Sequence, residues 1–240
     1  MELFKKGKFQ FNVAEALKSG LYVSGTTGCG KSDIAMYCLD KLREKGVISV
    51  IFDPSQDWVD RYPASVVTPS NTPNRPFAQI VLTGATVVDI SMCTIEQTKL
   101  LVEKFSEQLF LQQARQPKEK RQTYFVLFEE GQTEFPQGAL RAKAMQNVVR
   151  LATQGRNYKI RVGVVTQFAA MLDKDIMKFM NQRYFGWTAE PNDVDYIGEM
   201  LGDDEVAENL KYFDSGDFLY WYPAKNILEQ IHINPYGDKS

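Results

Sequence analysis

The stretch Gly25-Thr26-Thr27-Gly28-Cys29-Gly30-Lys31-Ser32 decides the fold. At every fixed position it matches the pattern Gly-x4-Gly-Lys-Ser/Thr, which forms loops that hold the phosphates of nucleotides. Residues 21–24 before it are apolar and β-prone, and residues 32–45 after it carry apolar side chains at helical spacing. The sequence therefore predicts a strand, a glycine loop and a helix, in that order.

This order aims positive electrostatic potential at the junction of loop and helix. Backbone N–H groups and the positive end of the helix dipole converge there, and glycines let the backbone approach a phosphate chain. We expect Lys31 to reach the β- and γ-phosphates of the nucleotide and the Ser32 hydroxyl to ligate Mg²⁺. A plain glycine-rich turn before an amphipathic helix is the weaker interpretation, because the motif lies in its required strand-to-helix setting. The other residues predicted to cradle the phosphates are Gly25, Thr26, Thr27, Gly28, Cys29 and Gly30.

The composition of the 240-residue chain is ordinary for a soluble globular protein. Its formal net charge of −2 argues against a surface that is basic throughout, although a local basic patch remains compatible with it. Three cysteines, one of them in the glycine loop, favour free thiols in a reducing compartment. No apolar run approaches the ~20 residues of a membrane span and the N-terminus has no signal-peptide core, so we expect a cytoplasmic protein that does not span a membrane.

Strands and helices alternate along the chain, which predicts an α/β domain with a largely parallel central sheet flanked by helices. No repeat or linker divides it, so we expect a single domain over residues 1–240, with a core of about residues 20–190 and the elements of 191–240 packed on it. The predicted strands are 9–13, 21–24, 47–52, 65–68, 79–82, 86–90, 124–128, 162–166, 183–188, 218–222 and 227–233. The predicted helices are 14–18, 32–45, 94–115, 139–154 with Gly155 as its cap, 173–180, and one or two within 193–210.

Two adjacent acids, Glu129 and Glu130, follow the predicted buried strand 124–128. Nucleotide hydrolases hold Mg²⁺ with an acid at this place, usually through water, and use the next acid to polarise the attacking water. Adjacent residues that leave a strand diverge in direction, so Glu129 is predicted to face the metal and Glu130 the nucleophile. The usual first acid is Asp, and this chain departs from that pattern with Glu at position 129. Without the glycine loop upstream, a polar strand end would be the better interpretation.

With these pieces the chain resembles the HerA/FtsK branch of P-loop ATPases, which are hexameric DNA-pumping motors with a RecA-like fold. The resemblance covers residues 20 to about 190. The Gly-Arg pair and the strand that ends in Thr-Gln are moderately specific for this branch, whereas the glycine loop alone is not. The segments that match, in order, are the glycine loop, Asp53-Pro54, the strand ending at Glu129-Glu130, Gly155-Arg156, Thr166-Gln167 and Asp175-Ile176.

The resemblance implies roles for two further residues. Gln167 would be the polar sensor beside the γ-phosphate, and Arg156 the arginine finger that reaches into the neighbouring subunit's site. Arg150, about two helical turns earlier, is a weaker second candidate for the finger. Taken alone, a strand-end glutamine or an arginine after a glycine is most often an ordinary surface residue. Phe168 departs from the family, since many members carry Arg there.

The resemblance therefore implies an ATPase that uses ATP and Mg²⁺ to move double-stranded DNA as a homo-oligomer, with a hexameric ring expected. Because the chain is nearly all motor, it is most similar to the compact genome-packaging ATPases of tailless double-stranded DNA viruses. Our first expectation is thus a motor that pumps a viral genome into a preformed capsid, docked on a capsid or membrane-vertex protein. Such a motor would work in the host cytoplasm or on the virion.

Two alternatives stay open. One is a cellular or plasmid motor of the same branch, acting in DNA transfer or end processing. The other is a nucleotide-dependent switch or assembly protein with little hydrolysis and no DNA. A small-molecule kinase is disfavoured, because the sequence shows no lid or acceptor-binding pattern.

Several softer signals accompany these motifs. Basic side chains that could touch a DNA backbone are Arg115, Lys118, Lys120 and Arg121, or Arg141 and Lys143. Aromatic side chains interpreted as core or interface, in preference to base-stacking platforms, are Trp58, Tyr62, Trp221 and Tyr222. The single histidine, His232, has no Cys or His neighbour at metal spacing and is assigned no role.

Overall fold

A ten-stranded sheet runs through the part of the chain that the computed structural model describes, which comprises residues 7–8, 11–62, 66–68, 84–137 and 146–233. Its strands are β1 (Gly7–Lys8), β2 (Leu21–Ser24), β3 (Ile48–Asp53), β4 (Val66–Val67), β5 (Ala85–Asp89), β6 (Tyr124–Glu129), β7 (Ile160–Thr166), β8 (Gln182–Phe185), β9 (Asp217–Tyr222) and β10 (Ile227–His232). The helices are α1 (Val13–Ser19), α2 (Lys31–Arg43), α3 (Ile95–Arg115), α4 (Gln146–Gln154), α5 (Lys174–Met177), α6 (Pro191–Leu201) and α7 (Asp204–Glu208).

The strand order is β1-β10-β9-β8-β2-β7-β6-β3-β5-β4. Neighbouring strands are parallel except where β9 pairs with β8 and with β10. The carboxyl ends of β2, β7 and β6 therefore meet at one edge, with β7 in the middle. Ser24 lies opposite Thr166, and Glu129 lies opposite Val165, so the loops that leave these strands start at nearly the same level. Open α/β sheets place their ligands at this edge.

The core lies on both faces of the sheet, because side chains alternate between faces along each strand. Every position of β2 and β6 is buried, as expected of strands covered on both sides. One face packs against α1 and α2, with Leu39 in its centre. The other packs against α3, α4 and the shorter helices that follow, with Phe105 and Leu151 in its centre.

The boundary of α3 follows from local chemistry. The Thr94 side chain accepts a hydrogen bond from the backbone N–H of Gln97, and the Gln97 side chain accepts one from the backbone N–H of Thr94. This reciprocal capping box satisfies two donors that the first helical turn leaves free. The helix start predicted at Thr94 is thus confirmed.

One local prediction is wrong. Residues 11–13 are not strand, because the Asn12 side chain accepts the N–H of Glu15 and caps α1, which begins at Val13. The predicted end of the helix before Gly155 is confirmed, since α4 ends at Gln154; Gly155 then opens a 3-10 turn, Gly155–Tyr158, and the left-handed residue is Lys159 with φ 56°.

Other predicted elements are confirmed with shifted ends. The helix predicted over 173–180 is shortened to α5, and the segment 193–210 contains two helices. The predicted strand 79–82 and the start of the predicted helix 139–154 lie outside the described residues. Among the helices described, none combines the length and the apolar character that crossing a bilayer requires.

Candidate active site

The glycine loop leaves the carboxyl end of β2 and enters α2 at Lys31. Gly25, Gly28 and Gly30 have φ values of 147°, 87° and 98°, a region in which a side chain is strained. A Cβ added at Gly28 would meet no atom within 4 Å, so the conformation there, and not crowding, requires glycine. At Gly25 an added Cβ would lie 2.8 Å from the Cys29 Sγ. The loop thus combines a strained shape with open space on one side, as a phosphate cradle needs.

Two segments distant in sequence hold the loop in this shape. The N–H of Thr26 donates to the Trp187 carbonyl at 2.7 Å, just beyond β8. The N–H of Gly216 donates to the Cys29 carbonyl at 3.0 Å, and the Ser215 hydroxyl donates to the Gly28 carbonyl at 2.9 Å. These three hydrogen bonds were not predicted from the sequence, because no local pattern marks the residues that form them.

Lys31 lies over its own loop. Its Nζ donates to the Thr26 carbonyl at 3.3 Å, and the residue is only 8% exposed. Beside it, Cys29 is buried, and burial raises the pKa of its thiol above the ordinary value. All three cysteines are free, as expected from the composition.

Glu129 is the last residue of β6 and is buried. Its Oε2 accepts a hydrogen bond from the Trp58 Nε1 at 3.0 Å. Burial raises the pKa of Glu129 to about 7, the Trp58 bond opposes this, and the charge of Glu130 adds to the rise. Trp58 is fully buried, as predicted, and its backbone N–H donates to the Asp53 Oδ2 at 2.9 Å. Its indole bond to Glu129 was not foreseen.

Glu130 turns in a different direction, as predicted for the second acid. It has φ 55°, which is uncommon for a residue with a side chain and is typical of functional sites. Its Oε1 accepts the Gln167 Nε2 at 2.7 Å, and its Oε2 accepts the Gln132 Nε2 at 2.8 Å. Both carboxylate oxygens are therefore held by side-chain amides.

A chain of hydrogen bonds connects the glycine loop to Glu130. The Thr27 hydroxyl donates to the Gln167 Oε1 at 2.9 Å, and Gln167 in turn donates to Glu130. On the far side, the Thr166 hydroxyl donates to the Gln132 Oε1 at 2.6 Å. Gln167 thus lies between the phosphate loop and the acid, where the sequence placed it. Gln132 is a member of the site that sequence analysis missed.

The residues predicted to hold Mg²⁺ offer the donor atoms that this ion prefers. Ser32 supplies a hydroxyl at the start of α2, and Glu129 supplies a carboxylate at the end of β6. Mg²⁺ takes oxygen ligands, keeps several waters and is completed by substrate phosphates, so it needs few protein groups. Among the described residues, no cluster of three or more His, Cys, Asp or Glu is arranged for a metal.

Glu134 is a buried acid that sequence analysis missed. It lies in the turn that follows Glu130, it is 3% exposed, and its Oε2 has no hydrogen-bond partner among the described residues. Burial raises its pKa to about 8, and the charge of Glu130 adds to the rise. The loop beside the acid pair therefore carries a carboxyl group that is protonated at neutral pH.

Arg156 lies at the opposite edge of the sheet from the glycine loop. It is exposed and precedes β7, whereas Gln167 follows β7, and the strand of 7 residues between them is about 20 Å long. Arg156 is therefore too far from its own glycine loop to touch a phosphate there. Arg150 is engaged within the chain, because its guanidinium stacks 3.8 Å from the Phe110 ring centre.

Some of the basic side chains that could touch DNA contact other parts of the chain, and others are exposed. Arg121 donates to the Gln116 and Asn157 carbonyls, at 3.1 and 2.8 Å, and so ties two loops together. Lys118 and Lys120 are exposed. His232 contacts the Asp217 Oδ1 through Nδ1 at 2.7 Å. Arg141 and Lys143 lie outside the described residues.

The arrangement at the carboxyl edge defines the class of the protein. The glycine loop joins β2 to α2, and the acid pair lies at the end of β6. Gln167 follows β7, the strand that lies between β2 and β6 in the sheet. This is the architecture of P-loop ATPases, and the predicted α/β P-loop fold is confirmed.

Comparison with known proteins identifies the family within this class. Residues 5–203 match the family described as "Helicase HerA, central domain", and the chain belongs to that family. The DNA double-strand break repair helicase HerA of Pyrococcus furiosus is 29% identical, over 52% of this chain and 27% of that protein. The chain thus spans about a quarter of the length of this relative. The resemblance to the HerA/FtsK branch is confirmed.

Two solved structures share the fold. The genome packaging NTPase B204 from Sulfolobus turreted icosahedral virus 2, solved with ATP-gammaS, superposes with a TM-score of 0.69 at 17% identity, covering 90% of this chain and 98% of B204. VirB4 of Thermoanaerobacter pseudethanolicus superposes with a TM-score of 0.65 at 10% identity, covering 95% of this chain and 92% of VirB4. At these identities the likeness concerns the fold alone.

Proposed function

We propose that this chain hydrolyses ATP with Mg²⁺ and uses the reaction to move double-stranded DNA as a ring of identical subunits. The observation that carries the proposal is the hydrogen-bonded chain from Thr27 through Gln167 to Glu130, which connects the phosphate loop to a carboxylate suited to general-base work. The matched relative is named as a DNA repair helicase, which supports DNA as the cargo.

Each residue of the loop and the acid pair has a role in this proposal. Residues 25–32 hold the phosphates through those backbone N–H groups of the loop that do not already donate within the chain, and Lys31 neutralises the phosphate charge. When bound, Mg²⁺ neutralises charge on the phosphates; Ser32 and Glu129 hold it. Glu130 accepts a proton from the attacking water.

Gln167 orients Glu130 and reports the state of the nucleotide. Because Thr27 belongs to the phosphate loop, a γ-phosphate changes the surroundings of the same side chain that holds the acid.

Arg156 completes the site of a neighbouring subunit. Arg156 lies at the edge of the sheet opposite its own glycine loop, so it can reach a nucleotide only by contact with another copy of the chain. Arg156 is exposed, and within the described residues no carboxylate forms an ion pair with it, so its guanidinium can take a phosphate in trans. This supports a ring, for which we propose six members, each with one motor domain.

Genome packaging is the finer form of the proposal. B204 is named as a genome packaging NTPase, and the superposition with this chain covers 98% of B204. This likeness supports a motor that pumps DNA into a preformed capsid. A capsid or membrane-vertex protein would then be its docking partner. The HerA match favours the second candidate, a cellular or plasmid motor in DNA transfer or end processing.

The test is ATP hydrolysis across protein concentration, with and without double-stranded DNA, for wild type and Arg156→Ala. We expect turnover per subunit to rise with concentration and with DNA, and Arg156→Ala to lower it 100-fold or more (an estimate of about 10³–10⁵ applies to arginine fingers) while nucleotide still binds. The control is Lys45→Ala, an exposed cation after α2. Turnover that is flat with concentration and indifferent to DNA and to Arg156 would favour a nucleotide switch without DNA movement.

A further inference from the structure

A cavity of about 470 Å³ opens at the edge of the sheet opposite the glycine loop. The end of α1, the end of α4, the start of β7 and the segment before β8 form its walls. Arg156 and Arg161 both line it, together with Lys18, Lys178 and Glu15.

The two lysines of the cavity are paired within the chain. Lys18 contacts the Glu15 carboxylate at 3.2 Å, and Lys178 contacts the Asp175 carboxylate at 2.8 Å. Glu15 also contacts Lys225 at 3.0 Å, and the hydrogen bond from the Tyr222 hydroxyl, together with the two lysines, lowers the pKa of Glu15 to about 2. Among the described residues, the one carboxylate that lines the cavity is therefore already paired with lysines.

The two arginines have no such compensation among the described residues. Arg161 makes one bond, from Nη1 to the Ile160 carbonyl at 2.6 Å, and its buried Nε has no hydrogen-bond partner. Burial lowers the pKa of Arg161 to about 10, and the charge of Arg156 contributes to this shift. Burying the Arg161 guanidinium in this way is costly, because its desolvated Nε–H has no acceptor in place of water, and the exposed Arg156 adds a second positive charge to the same cavity. An incoming anion would remove this cost.

We propose that Arg161 joins Arg156 in a two-guanidinium site for the terminal phosphate of the nucleotide bound by the neighbouring subunit. A guanidinium group donates two parallel hydrogen bonds to a pair of phosphate oxygens. Two such groups can therefore hold a terminal phosphate whose non-bridging oxygens carry the charge of the transition state. The cavity lies at the edge of the sheet opposite this subunit's own glycine loop, and Arg156 in its lining is exposed, so the phosphate must belong to a nucleotide held by another subunit. The inference rests on the proposed ring with shared sites and adds a second residue to them.

Mixed rings test the inference. Arg161→Gln subunits bind nucleotide but lack the second guanidinium, and Lys31→Ala subunits do not bind nucleotide but still offer Arg161. Each variant alone should turn over ATP at least tenfold more slowly than wild type. In an equimolar mixture, roughly a quarter of the interfaces of a ring combine an intact loop with an intact Arg161, so turnover should rise to several times the mean of the two variants.

The outcomes separate the inference from the proposed function. An Arg156→Ala and Lys31→Ala mixture provides the reference for sharing across the interface. Suppose that ATP turnover rises in the Arg156→Ala and Lys31→Ala mixture, but stays at the mean of the two separate variants in the Arg161→Gln and Lys31→Ala mixture. Arg161 then does not act in trans, and the inference is overturned. If neither is restored, the shared site itself fails.

Two controls guard against loss of structure. Nucleotide binding by Arg161→Gln, measured by titration, shows that it folds; if it does not bind, Arg161→Lys, which keeps the charge and loses the fork, replaces it in the same mixture. Lys45→Gln, at an exposed cation that follows α2 and lies outside the cavity, should leave turnover within about twofold of wild type.

Discussion

Glu134 makes the stability of the protein depend on pH in a way that a single substitution should remove. The residue is 3% exposed, its Oε2 has no hydrogen-bond partner within the described part of the chain, and burial raises its pKa from 4.5 to about 8. Between these two values the unfolded chain has lost the Glu134 proton and the folded chain keeps it. The free energy of unfolding therefore falls as pH rises through this window, and it is not affected by Glu134 below it.

The size of the effect follows from the shift. Each tenfold change in proton affinity corresponds to about 1.4 kcal/mol, so the full penalty above pH 8 is on the order of 5 kcal/mol. Local relaxation and water entry lower the penalty for a buried charge, so we expect at least about 2 kcal/mol. Glu134→Gln removes the charge and keeps the shape. It should raise the free energy of unfolding by this amount at pH 9 and change it by less than about 1 kcal/mol at pH 5.

The assay is urea unfolding followed by circular dichroism at pH 5 and pH 9, without nucleotide or metal. Other groups, including Glu129 with its pKa of about 7, titrate in the same window but are common to both proteins and cancel in the comparison. The matched control is Glu119→Gln, which neutralises an exposed acid. An identical effect of Glu134→Gln at both pH values would refute the assignment of a buried, protonated carboxyl.

Three further predictions concern the site. Gln167→Leu breaks the bond to Glu130 and should lower turnover about 10- to 100-fold while the nucleotide Kd, measured by fluorescence titration, changes less than about threefold. Trp58→Phe removes the indole donor to Glu129 and leaves a gap, so urea unfolding should show a loss of about 2–4 kcal/mol; an unchanged midpoint would contradict the contact. Gly25→Ala would place a Cβ 2.8 Å from the Cys29 Sγ and should lower the free energy of unfolding in urea by about 2–3 kcal/mol. Gly46→Ala, where φ is 75° and no atom lies within 4 Å of the added Cβ, should lower it by only about 1 kcal/mol.

The positions of the main site residues could be predicted because they follow from strand ends. In a parallel sheet all carboxyl ends meet at one edge, so a motif after β2, an acid pair after β6 and a glutamine after β7 must come together. The structure bears this out through the bonds among Thr27, Gln167 and Glu130. Their chemical roles remain proposals.

The supports of the site could not be predicted, because they pair residues distant along the chain. Ser215 holds Gly28 across 187 positions, and Trp58 holds Glu129 across 71. Neither pair leaves a periodic or local signal in the sequence. The burial of Glu134 is likewise a product of tertiary packing, since an acid in a polar turn is ordinarily exposed.

Errors in local structure have similar causes. Alternation of Phe and polar residues around position 11 reads as strand, yet the capping oxygen of Asn12 decides the start of α1. The place of Gly155 after α4 was predicted, but its physical reason was not: a Cβ added there would lie 3.0 Å from the Ile160 carbonyl oxygen, so close packing requires the glycine.

The central claim is that Glu130 activates water for ATP hydrolysis at the glycine loop. The most direct measurement is steady-state ATP hydrolysis with Mg²⁺ by wild type and Glu130→Gln, with nucleotide affinity measured on the same samples. The account predicts that Glu130→Gln binds nucleotide within about threefold of wild type and turns it over at least 100-fold more slowly, as loss of a general base requires. Turnover by Glu130→Gln equal to that of wild type would contradict the account.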